Sequence, residues 1–177
     1  MNSLPQITLY APTSTEIAKV VASAARRHPQ LASRLSKAQD ILSGGLQLEP
    51  TAWQLRNVAR FRIASQSNRG AYNVTTSGCG CQDKRVQYCK HAAAVNLYMK
   101  ILANRLNADI RNREIDLGVL PDGTLNCYAP RMGHVHVRKV AGAYVFCDAA
   151  SAIRYSLHLA ARQPISVEWP VAIEVAA

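Results

Sequence analysis

Four side chains able to bind a soft divalent metal fall within thirteen consecutive positions, in Cys79-Gly-Cys81-Gln-Asp-Lys-Arg-Val-Gln-Tyr-Cys89-Lys-His91. Zn²⁺ favours a tetrahedron of thiolate sulfur and neutral imidazole nitrogen, with Zn–S bonds of about 2.3 Å. A Cys-x-Cys pair and a Cys-x-His pair joined by a seven-residue loop can wrap one ion from two sides. With Cys79, Cys81, Cys89 and His91 at all four corners, no position is left for water or substrate. One structural zinc is therefore expected, one that holds the fold together and does not activate a nucleophile. A disulfide between Cys79 and Cys81 would close a very small, strained ring, and ordinary buried thiols would leave the Cys-x-His pair unexplained. Lys84 and Arg85 in the loop, and Lys90 between two ligands, admit two roles. They could contact nucleic acid, or they could offset the net charge of about −1 that three thiolates and one divalent ion leave.

The spacing and its flanks resemble the SWIM-type zinc finger, whose pattern is two strands, Cys-x-Cys, a variable loop, and Cys-x-His opening a helix. Phe61-Arg-Ile-Ala-Ser-Gln-Ser and Tyr72-Asn-Val-Thr-Thr stand where the two strands of that family stand, and Cys89-Lys-His91-Ala-Ala-Ala-Val95 where its helix starts. The likeness covers roughly positions 51 to 106. It implies a ββα zinc module and an accessory part in DNA transactions such as transposition, recombination or chromatin remodelling. Some members of the family are also implicated in protein–protein contacts.

The elements that must position these ligands belong to a chain of 177 residues, 49% of them apolar, long enough for a sizeable core in one or two domains. No run of eighteen apolar residues suggests a membrane span, and no apolar secretory segment stands at the start. A reducing, cytoplasmic setting is expected, in which Cys127 and Cys147 are free buried thiols, although they could form a bridge. The formal charge of +10 is unevenly spread. Residues 1–53 carry 5 Lys/Arg and 3 Asp/Glu, residues 54–113 carry 11 and 2, and residues 114–177 carry 5 and 6, giving +2, +9 and −1. The excess is thus a local patch on the proposed zinc module. It points to a polyanion, nucleic acid ahead of an anionic membrane surface, with DNA favoured; a basic surface that only aids solubility is the alternative.

Thr13-Ser-Thr-Glu16 is a capping-box signature, and Ile17, Val20, Val21, Ala24 and Ala25 follow at helical spacing, predicting a helix to about Arg27. A second periodic set, Leu31, Leu35, Ala38, Ile41 and Leu42, stops at Gly44-Gly45. Residues 1–50 are therefore expected to be an N-terminal helical hairpin. Its His28-Pro29 link does not resemble the turn of a DNA-reading helix-turn-helix.

Residues 51–113 are expected to form the zinc-finger core. Pro50 can open a short helix through Trp53 and Leu55 to about Val58. In the hairpin that follows, Phe61 and Ile63 alternate with Arg60 and Arg62, and Tyr72 and Val74 with Asn73 and Thr75. Arg60, Arg62, Arg69, Asn73 and Thr75 would then share one solvent face, a set of side chains suited to phosphate. The helix opened by His91 is apolar round most of its circumference, with one wet stripe of Asn96, Lys100, Asn104 and Asn107. Lys100 joins Arg60, Arg62, Arg69, Lys84, Arg85 and Lys90 as a candidate nucleic-acid contact. Arg105, Arg111 and Arg113 are expected to carry the charge on into a loop, and Tyr88 either packs on the metal loop or stacks on a base.

Residues 114–177 read as a small α+β unit with antiparallel strands, packed against the zinc-finger hairpin or continuous with that core. Leu117 to Leu120 and Thr124 to Tyr128 flank Pro121-Asp-Gly123; His134 to Val140 and Ala143 to Cys147 flank Ala141-Gly142; Asp148 can cap a helix to Arg162. Positions 165–175 alternate Ile165, Val167, Trp169, Val171, Ile173 and Val175 with polar residues, a strand suited to a protein partner or a homodimer contact. That feature supports a second reading, an interaction module that docks on a larger complex. Cys127, His134, His136 and Cys147 lack the close pairing of a second metal site. Nothing in the spacing supports a nucleophile–base–orienter set, so the expectation is an α+β protein that is not an enzyme.

Overall fold

The computed structural model describes residues 7–64, 70–81 and 89–163. Arg69, Lys84, Arg85, Tyr88 and the alternating stretch 165–175 lie outside the described residues.

Helix α1 spans Ser14–Arg27 and starts where its cap dictates: the Thr13 hydroxyl accepts the Glu16 N–H while the Glu16 carboxylate accepts the Thr13 N–H. A single 3₁₀ turn, Pro29–Leu31, carries the chain into α2 at Ala32–Ser43, which ends at Gly44 with Gly45 at positive φ. The two helices pack on each other, as the periodicity anticipates. Strand β1, Gln47–Leu48, was not expected; two residues are too few to show an alternation. The Glu49 carboxylate then accepts the N–H groups of Thr51 and Ala52 and caps α3, Pro50–Arg56, which closes on Asn57 in the left-handed region.

Strands β2, Phe61–Ala64, and β3, Ala71–Val74, pair antiparallel with β1 on the outer side of β2. The register sets Phe61 opposite Val74 and Arg62 opposite Asn73, so the first pair is buried and the second exposed. Beyond β3 the Thr75 N–H donates to the Gly78 carbonyl, and its hydroxyl lies against the Gly78 carbonyl and the Ser77 hydroxyl, folding the chain back along β3.

Helix α4, Lys90–Arg111, is the spine, about 33 Å long at 1.5 Å per residue. Its apolar circumference is explained by what surrounds it: α1 and α2 on one side, α5 (Ala149–Arg162) and β7 (Ala143–Phe146) on another, and β3 near its start. Two expectations for this helix are corrected. Arg105 and Arg111 stand on the helix itself and not in a loop, and Arg105 is engaged by Glu16 at 3.5 Å and the Tyr10 ring at 5.3 Å. Asn107 is no part of the wet stripe, because its amide bonds both the N–H and the C=O of Tyr144 and so caps the free edge of β7.

The second sheet runs β4 (Asp116–Val119), β5 (Leu125–Tyr128), β6 (Val135–Val140), β7, all antiparallel neighbours. A Cβ at Gly118 would lie 2.6 Å from the Tyr128 ring, so a larger residue there would push that exposed ring aside. Asp148 caps α5 through the Ser151 N–H, as expected. This unit rests mainly on α4, with α5 and β7 both packed on it; towards the α3 and hairpin side, Arg154 lies 6.0 Å over the Trp53 ring. The buried apolar residues form one cluster from Leu9 to Leu159 that draws on all three stretches of sequence. Within it Tyr98 donates to the Tyr10 carbonyl at 2.9 Å and lies 2.6 Å from the Ser156 hydroxyl, which accepts the Tyr10 N–H. No helix among the described residues is long and apolar enough to cross a membrane.

Candidate metal centre and the basic pocket beside it

Two local devices bring the four ligands together. The turn at Thr75–Gly78 returns the chain antiparallel to β3, so that Cys79 bridges Val74 and the Gly80 N–H reaches the Asn73 carbonyl. Cys79 and Cys81 are thereby held on a knuckle, with the Cys81 N–H pointing at the Cys79 sulfur at 3.4 Å. On the other side Cys89 is the N-cap of α4, its sulfur accepting the Ala92 N–H at 3.3 Å, and His91 lies in the first helical turn.

The donor atoms of Cys79, Cys81, Cys89 and His91 all lie within 4.8 Å of one another, and the Cys79 sulfur is 3.7 Å from His91 Nδ1. A tetrahedral centre with bonds of about 2.3 Å to sulfur and 2.0 Å to nitrogen has edges of roughly 3.5–3.8 Å. The four residues therefore fit one metal ion. Cys81, Cys89 and His91 are buried, and the Tyr72 ring lies against the imidazole. Burial, then the Cys81 and Cys89 sulfurs beside it, pushes the Cys79 thiol up to about 12. Three sulfurs this close become thiolates together only with a cation among them.

The candidate nucleic-acid residues divide. Arg60, half-buried, and Arg62, exposed, line one concavity of about 460 Å³ between α3 and the outer face of β2 and β3, where Asn73 and Thr51 also stand. Arg56 of α3 joins them, a residue the sequence reading missed; the signal was its place four residues before Arg60 and six before Arg62. Among the described residues Glu49 is the sole acid of that lining; its bonds from Ala52 and Thr51, with Arg60 nearby, hold its carboxyl below the usual value. Among the described residues no ion pair within 4.0 Å engages Arg56, Arg60 or Arg62. Lys90 lies half-buried in the first turn of α4. Lys100 lines a different groove, between α1, α4 and the β6–β7 turn, with Lys19, Arg105 and Arg111.

Among the described residues the remaining thiols build no second centre. Cys127 is fully buried on the core face of β5, whereas its neighbour Asn126 pairs with His136 on the opposite face. Cys147 is exposed and not buried as expected, and all five cysteines are free of disulfides. Burial raises the Cys127 thiol to about 11, consistent with a packed, neutral group. Comparison with protein-family models, with curated proteins and with solved structures gives no match.

Proposed function

We propose that this chain is a SWIM-like zinc protein that binds nucleic acid, with DNA favoured, and that it has no catalytic role. Zinc is the ion that suits three thiolates and one imidazole in a closed tetrahedron. Bound to Cys79, Cys81, Cys89 and His91, it would tie the end of the β2–β3 hairpin to the start of α4, and so fix the face that carries the arginines. An accessory part in transposition or recombination follows from the family resemblance alone.

One observation carries the nucleic-acid reading. Arg56, Arg60 and Arg62 converge on one concavity without an ion pair among the described residues, and Asn73, which shares it, holds Gly80 between two metal ligands. Like charges gathered in this way repel unless an anion joins them. Lys90 in the first turn of α4 and Lys100 in its separate groove, with Arg69, Lys84 and Arg85, belong to the same basic stretch of sequence.

The test is a binding titration of zinc-loaded protein against duplex DNA, single-stranded DNA and RNA, with metal content measured by elemental analysis. One zinc per chain and retention that is lost in the double variant Arg60→Glu, Arg62→Glu support the reading. Full retention by that variant, or protein without stoichiometric metal, would overturn it.

A further inference from the structure

We infer that the concavity between α3 and the β2–β3 face seats the terminal phosphate of a nucleic-acid strand, in preference to the internal phosphates of a continuous backbone. The inference rests on the nucleic-acid reading above and narrows it to a strand end.

Charge is the first argument. Among the described residues, Arg56, Arg60 and Arg62 contribute +3 to the lining and Glu49 contributes −1, leaving +2. A phosphate monoester carries about −1.5 to −2 at neutral pH, whereas each internal diester carries a single charge. The pocket therefore matches one terminal phosphate and is over-charged for one internal phosphate. Glu49 is a fixed feature and not a titrating guest, because its carboxylate is committed to the Thr51 and Ala52 N–H groups at 3.2 and 2.7 Å.

Placement is the second argument. Glu49 is joined to Arg60 by a backbone hydrogen bond of 2.8 Å, so the carboxylate stands at the corner where β1 leads into α3. The helix end offers no spare donors, since Glu49 takes them, and among the described residues the neutral side-chain donors left in the lining are the Thr51 hydroxyl and the Asn73 amide. Arg62 and Asn73 face each other across the two strands, so a guanidinium and an amide reach the same anion from adjacent strands.

A phosphoserine peptide carries the same dianion. The surrounding stretch of 54–113, with 11 basic and 2 acidic residues, favours the more highly charged nucleic acid.

The test uses full-length, zinc-loaded protein and fluorescence anisotropy with one short oligonucleotide in four forms: 5′-phosphate, 3′-phosphate, both ends hydroxyl, and circular. One phosphorylated end is expected to bind about tenfold more tightly than the hydroxyl form, the effect of one or two charge-assisted hydrogen bonds. Arg56→Gln and Arg62→Gln should reduce that preference to below about twofold, and both are surface changes whose fold is checked by retained zinc. Equal binding of all four forms overturns the strand-end inference and leaves the nucleic-acid reading standing. A preference that survives in both variants places the phosphate elsewhere and also overturns it. Binding of a phosphoserine peptide with no binding of any oligonucleotide overturns both.

Discussion

The ring of Tyr72 lies against the imidazole of His91, their centroids 4.9 Å apart and their planes inclined at 47°. One comes from the second strand of the hairpin and the other from the first turn of α4, so the contact joins the strand that the Cys79–Cys81 knuckle lies along to the helix that carries His91. It also shields the imidazole from water. Tyr72→Ala should weaken metal retention by about 0.5–1.5 kcal/mol, the range for an aromatic pair, while Tyr72→Phe should retain it. Competition with a chromogenic chelator measures both, and equal loss in the two variants would contradict the packing role.

Removing the ion from the unaltered protein should loosen the knuckle and the start of α4 first. Chelation is expected to lower the thermal midpoint and to expose amides near Cys79–Cys81 and Cys89–His91 to hydrogen exchange, before the α1–α2 face of α4 is affected. A melt identical with and without chelator would argue that the four side chains hold no ion in solution.

Tyr98 ties α4 to the N-terminal segment and to α5 through Tyr10 and Ser156, residues 88 and 58 positions away. Tyr98→Phe leaves the buried Tyr10 carbonyl without that donor and should cost about 1–3 kcal/mol. For a chain of this size the midpoint should fall by roughly 2–4 °C per kcal/mol, with metal content unchanged. Urea titration checks the first figure, and calorimetry the second.

Glu16 makes stability depend on acid. Burial works to raise its carboxyl, but the Thr13 N–H, the Tyr10 and Thr13 hydroxyls and Arg105 outweigh that and hold it below its ordinary value of 4.5. Because the folded value is the lower one, this stabilisation is complete above 4.5 and is lost as pH falls through the folded value. Glu16→Gln should therefore cost about 1 kcal/mol at pH 7, and the difference from the parent should shrink below pH 4.5. A difference that persists unchanged at acid pH would show that charge is not the source.

Salt reports on the arginines. If about five phosphates are neutralised, the log–log slope of affinity against salt for duplex DNA should be near −4.5, and replacing Arg56, Arg60 and Arg62 by Gln should make it shallower. A slope indifferent to all three would remove this face from the interface.

What could be read from the chain alone is what short-range chemistry decides. Thr13 and Glu16 bond within a single turn, Asp148 caps through Ser151 three residues on, and Ala141-Gly142 turns β6 into β7 with both residues at positive φ. The metal ligands belong to the same class, since each pair is two residues apart and a loop of seven residues separates them. Only the tertiary structure placed Arg56 beside Arg60 and Arg62, because the turn of α3 into β2 decides which way a helical side chain points. It alone converted Asn107 from a solvated residue into the cap of β7, 37 positions away, and left Cys127 sealed while Cys147 is exposed. Such pairings depend on which surfaces the collapse of the core brings together, and spacing along the chain carries no record of that.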